Sequence, residues 1–247
     1  VLGSSSAREY LDARTAVKSQ SLTNSPMLLS SSIAGKVLMA LAGLFLAMFL
    51  LVHLGINLLL LSSDGGVAFT AAAEFMATNP IIKIAEPVLF GGFLLHIAFG
   101  MMVSGQNRAA RPVRYQESNS SETSLFSKYM FHTGIVVFLF LAMHMADFYL
   151  IKLGFIAPPE GIGQHDFYHR AMLLFSNPWY SGFYALSFLV LGFHLNHAIQ
   201  SAFQTLGLNH SRYTPALKVA GSAYAIIITV GFSLIPLWIA FSPLTRL

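Results

Sequence analysis

The sequence predicts an all-α fold, an integral membrane bundle of five spanning helices, and two observations carry that expectation. Long apolar runs lie at Val37–Leu61, Ile81–Val103, Tyr129–Ile151, Trp179–Phe203 and Val219–Phe241, each 23 to 25 residues long. About 20 residues rising 1.5 Å each cross a ~30 Å hydrocarbon core, so every run is long enough to span. Composition agrees: the chain is 55% hydrophobic and 10% charged, with mean hydropathy +0.64, values of a membrane chain and not of a soluble globule. The runs are apolar on nearly every face, which leaves no solvent-facing stripe for a soluble amphipathic helix.

Along the chain, residues 1–31 are rich in Ser, Thr, Asn and charge and read as a polar tail ahead of a membrane domain over 32–247. The first run starts more than thirty residues in and is too long for a signal-peptide core, so it is expected to be a retained span. In the first connection Asp64-Gly65-Gly66 precedes Val67–Ala77, a short helix with an apolar face, and Asn79-Pro80 opens the second span. The second connection, 106–127, is polar. The third, Lys152–Pro178, is broken by Pro158-Pro159, Gly161 and Gly163 and carries a second short amphipathic stretch at His165–Phe175; Asn177-Pro178 then opens the fourth span.

Basic residues set the expected orientation. One side receives Arg8, Arg14, Lys18, Lys36, Arg108, Arg111, Arg114, Lys128, Arg212 and Lys218; the other receives Lys83, Lys152, Arg170 and Arg246. That imbalance predicts a multi-pass protein of the inner (cytoplasmic) membrane, N-terminus cytoplasmic and C-terminus outside. The pI near 9.4 is then a consequence of topology. Dispersed basic residues without an aromatic-rich soluble surface do not point to nucleic acid.

Four histidines lie inside apolar runs at a repeated offset, about two-thirds of the way along: His53, His96, His144 and His194, with none in the fifth run. Consecutive spans reverse direction, so the offset sorts them by depth. His53 and His144 share an outer layer, and His96 and His194 an inner one. Each lies roughly four residues past its helix midpoint, which separates the layers by ~12 Å. Intramembrane histidines are costly and usually functional, and imidazole is a common ligand of haem iron. The pattern therefore predicts two stacked b-type haems, each iron held by two histidines. Small residues near the ligands, Gly100, Ala198 and Gly192, would let helix backbones approach a porphyrin, or would serve ordinary helix packing. His197 forms an H-x-x-H pair with His194, and spacing leaves the choice of ligand between them open. Cysteine is absent, which excludes thiolate-held iron–sulfur clusters, disulfides and covalently attached haem in this chain.

The stretches Leu51-Val-His53-Leu-Gly-Ile-Asn57, Leu95-His96-Ile-Ala-Phe-Gly100, Ala142-Met-His144 and Phe193-His194-Leu-Asn-His-Ala-Ile-Gln-Ser201, with five spans in this order, resemble the single-chain, five-helix, two-haem cytochrome b anchor of succinate dehydrogenase/fumarate reductase. The likeness covers roughly residues 30–240. It favours His194 over His197, because Ala198 and Ser201 match the family's register. It implies a respiratory complex II in which a flavoprotein subunit oxidises succinate or reduces fumarate and an iron–sulfur subunit relays electrons. This chain would pass them through two haem b groups to or from a quinone, menaquinone being usual for such anchors. The enzyme role implied is electron transfer and quinone chemistry, with dicarboxylate chemistry on a partner.

Candidates for quinone or haem-propionate contacts are fewer. Ser32 and Lys36 are similar to a Ser/Arg pair spaced four apart near the quinone of related anchors, although Lys stands where Arg is expected, and the two are not equivalent donors. Glu86 lies within the first turns of the second span, where it could handle quinone protons together with Glu74 or Asp147, or sit as a solvated interfacial acid. His132, at the inner edge of the third span, could meet a propionate or sit among headgroups. Two other readings remain: a dihaem anchor of another dehydrogenase or hydrogenase, and a haem-free transporter whose histidines relay protons.

Overall fold

The structure, a computed structural model, describes residues 32–109 and 125–242. The polar tail 1–31 and most of the connection between the second and third spans lie outside the described residues. Within them the chain is helical, without strands. Helix α1 covers Ser32–Asn57 and ends in a 3-10 turn, Leu58–Leu61. A short α2, Val67–Thr78, precedes α3, Pro80–Ala109. Helix α4, Leu125–His144, runs into a π-turn, Met145–Tyr149, and a last α-turn, Leu150–Lys152. A short α5, Phe167–Phe175, leads to α6, Pro178–Thr205, and α7, Thr214–Phe241.

Five of these helices are long and apolar enough to cross a membrane: α1, α3, α4 with its extension, α6 and α7. Their lateral surface agrees. Ile81 is 75% exposed, Trp179 89% and Ile33 73%, and large apolar side chains face outward on all five. A water-soluble protein of this size does not expose so much contiguous apolar area.

Local chemistry explains the helix starts. Asn79 Oδ1 accepts from the backbone N–H of Ile81 at 2.9 Å, and Asn177 Oδ1 accepts from Trp179 N–H at 3.0 Å and Tyr180 N–H at 3.3 Å. In both, proline follows as the first helical residue, where its missing N–H costs no hydrogen bond. Asp64 accepts from Gly66 N–H at 3.0 Å and Ala68 N–H at 2.8 Å, anchoring the start of α2. The Ala68 bond, helped by the Gly66 bond, holds the Asp64 carboxyl below its ordinary range.

Helix α6 packs most extensively on α7, and α1 packs on α3, α6 and α7, while α4 leans on α6. The diagonal pairs α1/α4 and α3/α6 share almost no close backbone approach. At one end, here called outer, α2 and α5 pack on each other over the spans. Gly66 makes this possible: with φ of 88° it lies flat on the Tyr168 ring, and a Cβ there would sit 2.5 Å from ring carbons. Arg170 of α5 is buried, 2% exposed, and donates to the carbonyls of Phe148 at 3.3 Å, Gly163 at 3.2 Å and Gln164 at 3.0 Å, tying the third connection to the end of α4. Burial lowers its guanidinium from the ordinary value, and Asp166 opposes that shift.

Two features depart from the sequence expectations. The short helix expected over His165–Phe175 begins at Phe167, because the Asp166 side chain caps it by accepting from His169 N–H at 3.1 Å. The third span is interrupted by the π-turn directly after His144, a wide turn that apolar periodicity does not register and that recurs at functional sites.

Candidate functional site

The four intramembrane histidines meet in two pairs across the diagonals of the bundle. His53 of α1 faces His144 of α4 with ring centres 5.9 Å apart and planes at 78°. His96 of α3 faces His194 of α6 at 6.3 Å and 81°. Imidazoles bound to opposite sides of one metal through bonds of ~2 Å have ring centres ~6 Å apart, so both pairs have the separation of two axial ligands. The helix backbones they span stay apart, and it is the side chains that close each diagonal.

Hydrogen bonds fix the state of the inner rings. His96 Nδ1 lies 3.4 Å from the carbonyl of Met39 on α1, and a carbonyl can only accept, so Nδ1 carries the hydrogen. His194 Nδ1 lies 3.2 Å from Thr133 Oγ1 on α4, whose own hydrogen goes to the Met130 carbonyl at 2.9 Å. The hydroxyl oxygen therefore accepts, and His194 Nδ1 is again the donor. Both rings keep the Nε2 lone pair for a metal, each oriented by a partner on a neighbouring helix, as ligating histidines commonly are.

The outer rings are held differently. Phe140 stacks on His144 at 5.9 Å and 22°, Phe148 lies 5.3 Å away and Tyr184 6.2 Å away. On the facing side Phe49 stacks on His53 at 5.2 Å and Phe232 lies 5.7 Å from it. His144 Nδ1 is buried without a hydrogen-bond partner. Asn57 donates its amide to the His53 carbonyl at 2.8 Å and also lies 3.4 Å from His53 Nδ1.

Two glycines not singled out above complete the site. A Cβ on Gly43 would lie 3.2 Å from His96 Cε1, and one on Gly134 would lie 3.5 Å from His194 Cε1. Each precedes the outer histidine of its own helix by ten residues: Gly43 before His53, Gly134 before His144. Ten residues are ~15 Å of helix, so the layers are set somewhat further apart than the ~12 Å expected from midpoints. The repeated Gly-to-His spacing was visible in the sequence as a signal. The glycines singled out from the sequence lie in two different surroundings. Gly100 has nothing near the position of a Cβ, and Gly192 packs directly against Thr229 of α7, which makes it a helix-packing residue.

Among the described residues the remaining candidates make no hydrogen bond to the four histidines. Lys36 is exposed at the inner end of α1, and the Ser32 side chain lies outside the described residues. His132 is exposed, its ring 5.9 Å from Tyr129. Glu86 accepts from Lys152 Nζ at 3.1 Å and is hydrogen-bonded to Tyr149, which ties the outer end of α3 to that of α4. Glu74 is exposed on α2. Asp147 Oδ2 accepts from both Tyr180 and Tyr184. Among the described residues no three His, Asp or Glu side chains converge on one point, and a closed structural zinc site at His194/His197 would need three or four protein ligands.

The chain matches no protein-family model, no curated protein and no solved structure.

Proposed function

We propose that this protein is a dihaem cytochrome b: the membrane anchor of a succinate dehydrogenase or fumarate reductase, exchanging electrons between an iron–sulfur subunit and a membrane quinone. The observation that carries the reading is the pairing of the four histidines, His53 with His144 and His96 with His194, at ring separations of 5.9 and 6.3 Å. The donor set fits haem iron. The inner rings present Nε2 lone pairs, His144 Nδ1 is an orphaned buried nitrogen in an apolar setting, and Gly43 lies against the His96 ring where a Cβ would press at 3.2 Å.

Haem b, when bound, supplies one-electron chemistry that no side chain of this cysteine-free chain offers. The chain's own part is to hold and insulate. His53 with His144 and His96 with His194 would each hold one iron and leave it no open position for oxygen, which suits electron transfer. Phe49, Phe140, Phe148 and Phe232 wrap the outer pair in apolar surface, and α2 with α5 cover the outer end. With haems bound, layers ~15 Å apart along α1 and α4 would set two redox centres one above the other across the membrane. A charge moved along that line couples to membrane potential at ~2.3 kcal/mol per 100 mV.

The quinone, menaquinone on this reading, would approach from the lipid. Glu86, Ser32, Lys36 and His132 are the candidates for its protons or for haem propionates. The iron–sulfur and flavoprotein partners would dock on the basic side that receives the N-terminal tail, taken as cytoplasmic in an inner membrane. The test is purification in mild detergent followed by a reduced-minus-oxidised spectrum and identification of co-purifying chains. A b-type band with a flavoprotein and an iron–sulfur protein is the expected result. A b-type band with a hydrogenase or another dehydrogenase would reassign the partner. No band at all would favour a proton-coupled transporter.

A further inference from the structure

Directly after His144 the chain enters the π-turn Met145–Tyr149. Its wider turn brings Asp147 round to α6, where one carboxylate oxygen, Oδ2, accepts from Tyr180 at 2.8 Å and from Tyr184 at 2.5 Å. Tyr184 is among the most buried side chains of the protein, 1% exposed. Its ring lies 6.2 Å from His144 and 5.1 Å from Phe140, which stacks on His144. The inner histidines are aimed by direct hydrogen bonds to Met39 and Thr133, whereas His144 has no such bond. Packing alone orients it, and the tyrosine in that packing is fixed by Asp147.

The Asp147 carboxylate also takes part in no salt bridge: among the described residues no cation lies within ion-pair distance of it. Arg170 lines the same outer cavity, but its Nη1 and Nη2 groups donate to the carbonyls of Phe148, Gly163 and Gln164, and its Nε is buried without a partner. A negative charge close to an iron in apolar surroundings favours the more positive, ferric state.

We propose that Asp147, clamped by Tyr180 and Tyr184 on the π-turn, is a positioning residue for His144 that orients the outer ligand and lowers the reduction potential of the outer iron. This inference rests on haem ligation by the His53/His144 pair.

The test is a redox titration of the b-type absorbance in the purified complex, with His144→Ala identifying the outer wave as the one that disappears. Asp147→Asn keeps an oxygen to accept from both tyrosines and removes the charge. The expected result is an upward shift of the outer wave with the inner wave unmoved; neither wave moving, or both moving equally, would overturn the charge role. Tyr184→Phe leaves the charge and loosens the clamp, and it carries the test if Asp147→Asn fails to assemble. It is expected to change the low-spin ferric resonance of the outer haem and leave that of the inner one. An unchanged outer resonance would overturn the positioning role. A wild-type protein without b-type haem would instead overturn the ligation reading itself, and with it the clamp.

Discussion

His53 and His144 stand 5.9 Å apart with their ring planes at 78°, although the helices that carry them, α1 and α4, share almost no close backbone approach. The same holds for His96 and His194 across the other diagonal, at 6.3 Å and 81°. Neighbouring helices in this bundle touch through packed side chains; the diagonals touch through imidazoles. On the proposed haem reading, ligand chemistry and helix packing would then be separable and each could be tested alone.

Replacing one ligand should empty one layer. His144→Ala is expected to remove the outer haem and leave the inner haem measurable, because the inner ligands are held by Met39 and Thr133 from other parts of α1 and α4. Haem content and the number of redox waves read the result. Loss of both haems or of neither would break the pairing.

Near-perpendicular ligand planes have a magnetic signature. With planes at 78° and 81°, axial imidazoles split the iron π orbitals weakly. Both ferric haems are expected to give highly anisotropic low-spin spectra, read by electron paramagnetic resonance at low temperature. A rhombic spectrum typical of parallel planes would contradict the geometry.

The glycines form a graded series. A Cβ on Gly134 would make ordinary contact with His194 at 3.5 Å, while one on Gly43 would press on His96 at 3.2 Å. Gly134→Ala should be tolerated, and the added helix propensity of ~0.5–1 kcal/mol works in its favour. Gly43→Leu should displace the His96 ring and lower inner haem occupancy. Gly192→Ala should weaken the α6/α7 packing through Thr229 and lower thermal stability, with the ligand spectrum of the assembled protein unchanged.

Thr133 accepts from His194 Nδ1, so Thr133→Val removes the acceptor and frees the ring to rotate. Losses of such partners commonly cost ~10–100-fold in metal affinity. Haem retention during dialysis against apomyoglobin should fall by that order for the inner haem, and Thr133→Ser should restore it.

Much of this was legible in the sequence, for identifiable reasons. Span length follows from rise per residue and bilayer thickness, so all five spans were expected within a few residues. Asn79-Pro80 and Asn177-Pro178 marked helix starts because an Asx cap and an N1 proline are local chemistry. The facing of His53 with His144 and of His96 with His194 followed from alternating direction. Other features depend on tertiary contacts. The π-turn after His144 is stabilised by two tyrosines more than thirty residues away, which no window around Asp147 contains. Gly192 and Gly43 look alike in sequence; only the neighbours, Thr229 in one case and His96 in the other, tell them apart.

At the outer end, Arg170 is the tie between the third connection and the end of α4. Arg170→Ala leaves three carbonyls without their donor, and a hydrogen bond to a charged group contributes a net ~1.5–3 kcal/mol before the structure relaxes. A net loss of ~3 kcal/mol is expected, read as a lower Tm in detergent and faster proteolysis between Leu153 and Phe167.

The central claim is tested most directly by a pyridine haemochrome assay on the purified chain, with protein quantified by amino-acid analysis. Four histidines gripping two irons predict two b-type haems per polypeptide, falling to one in His144→Ala. A ratio of zero in protein that is folded and membrane-inserted would contradict the account.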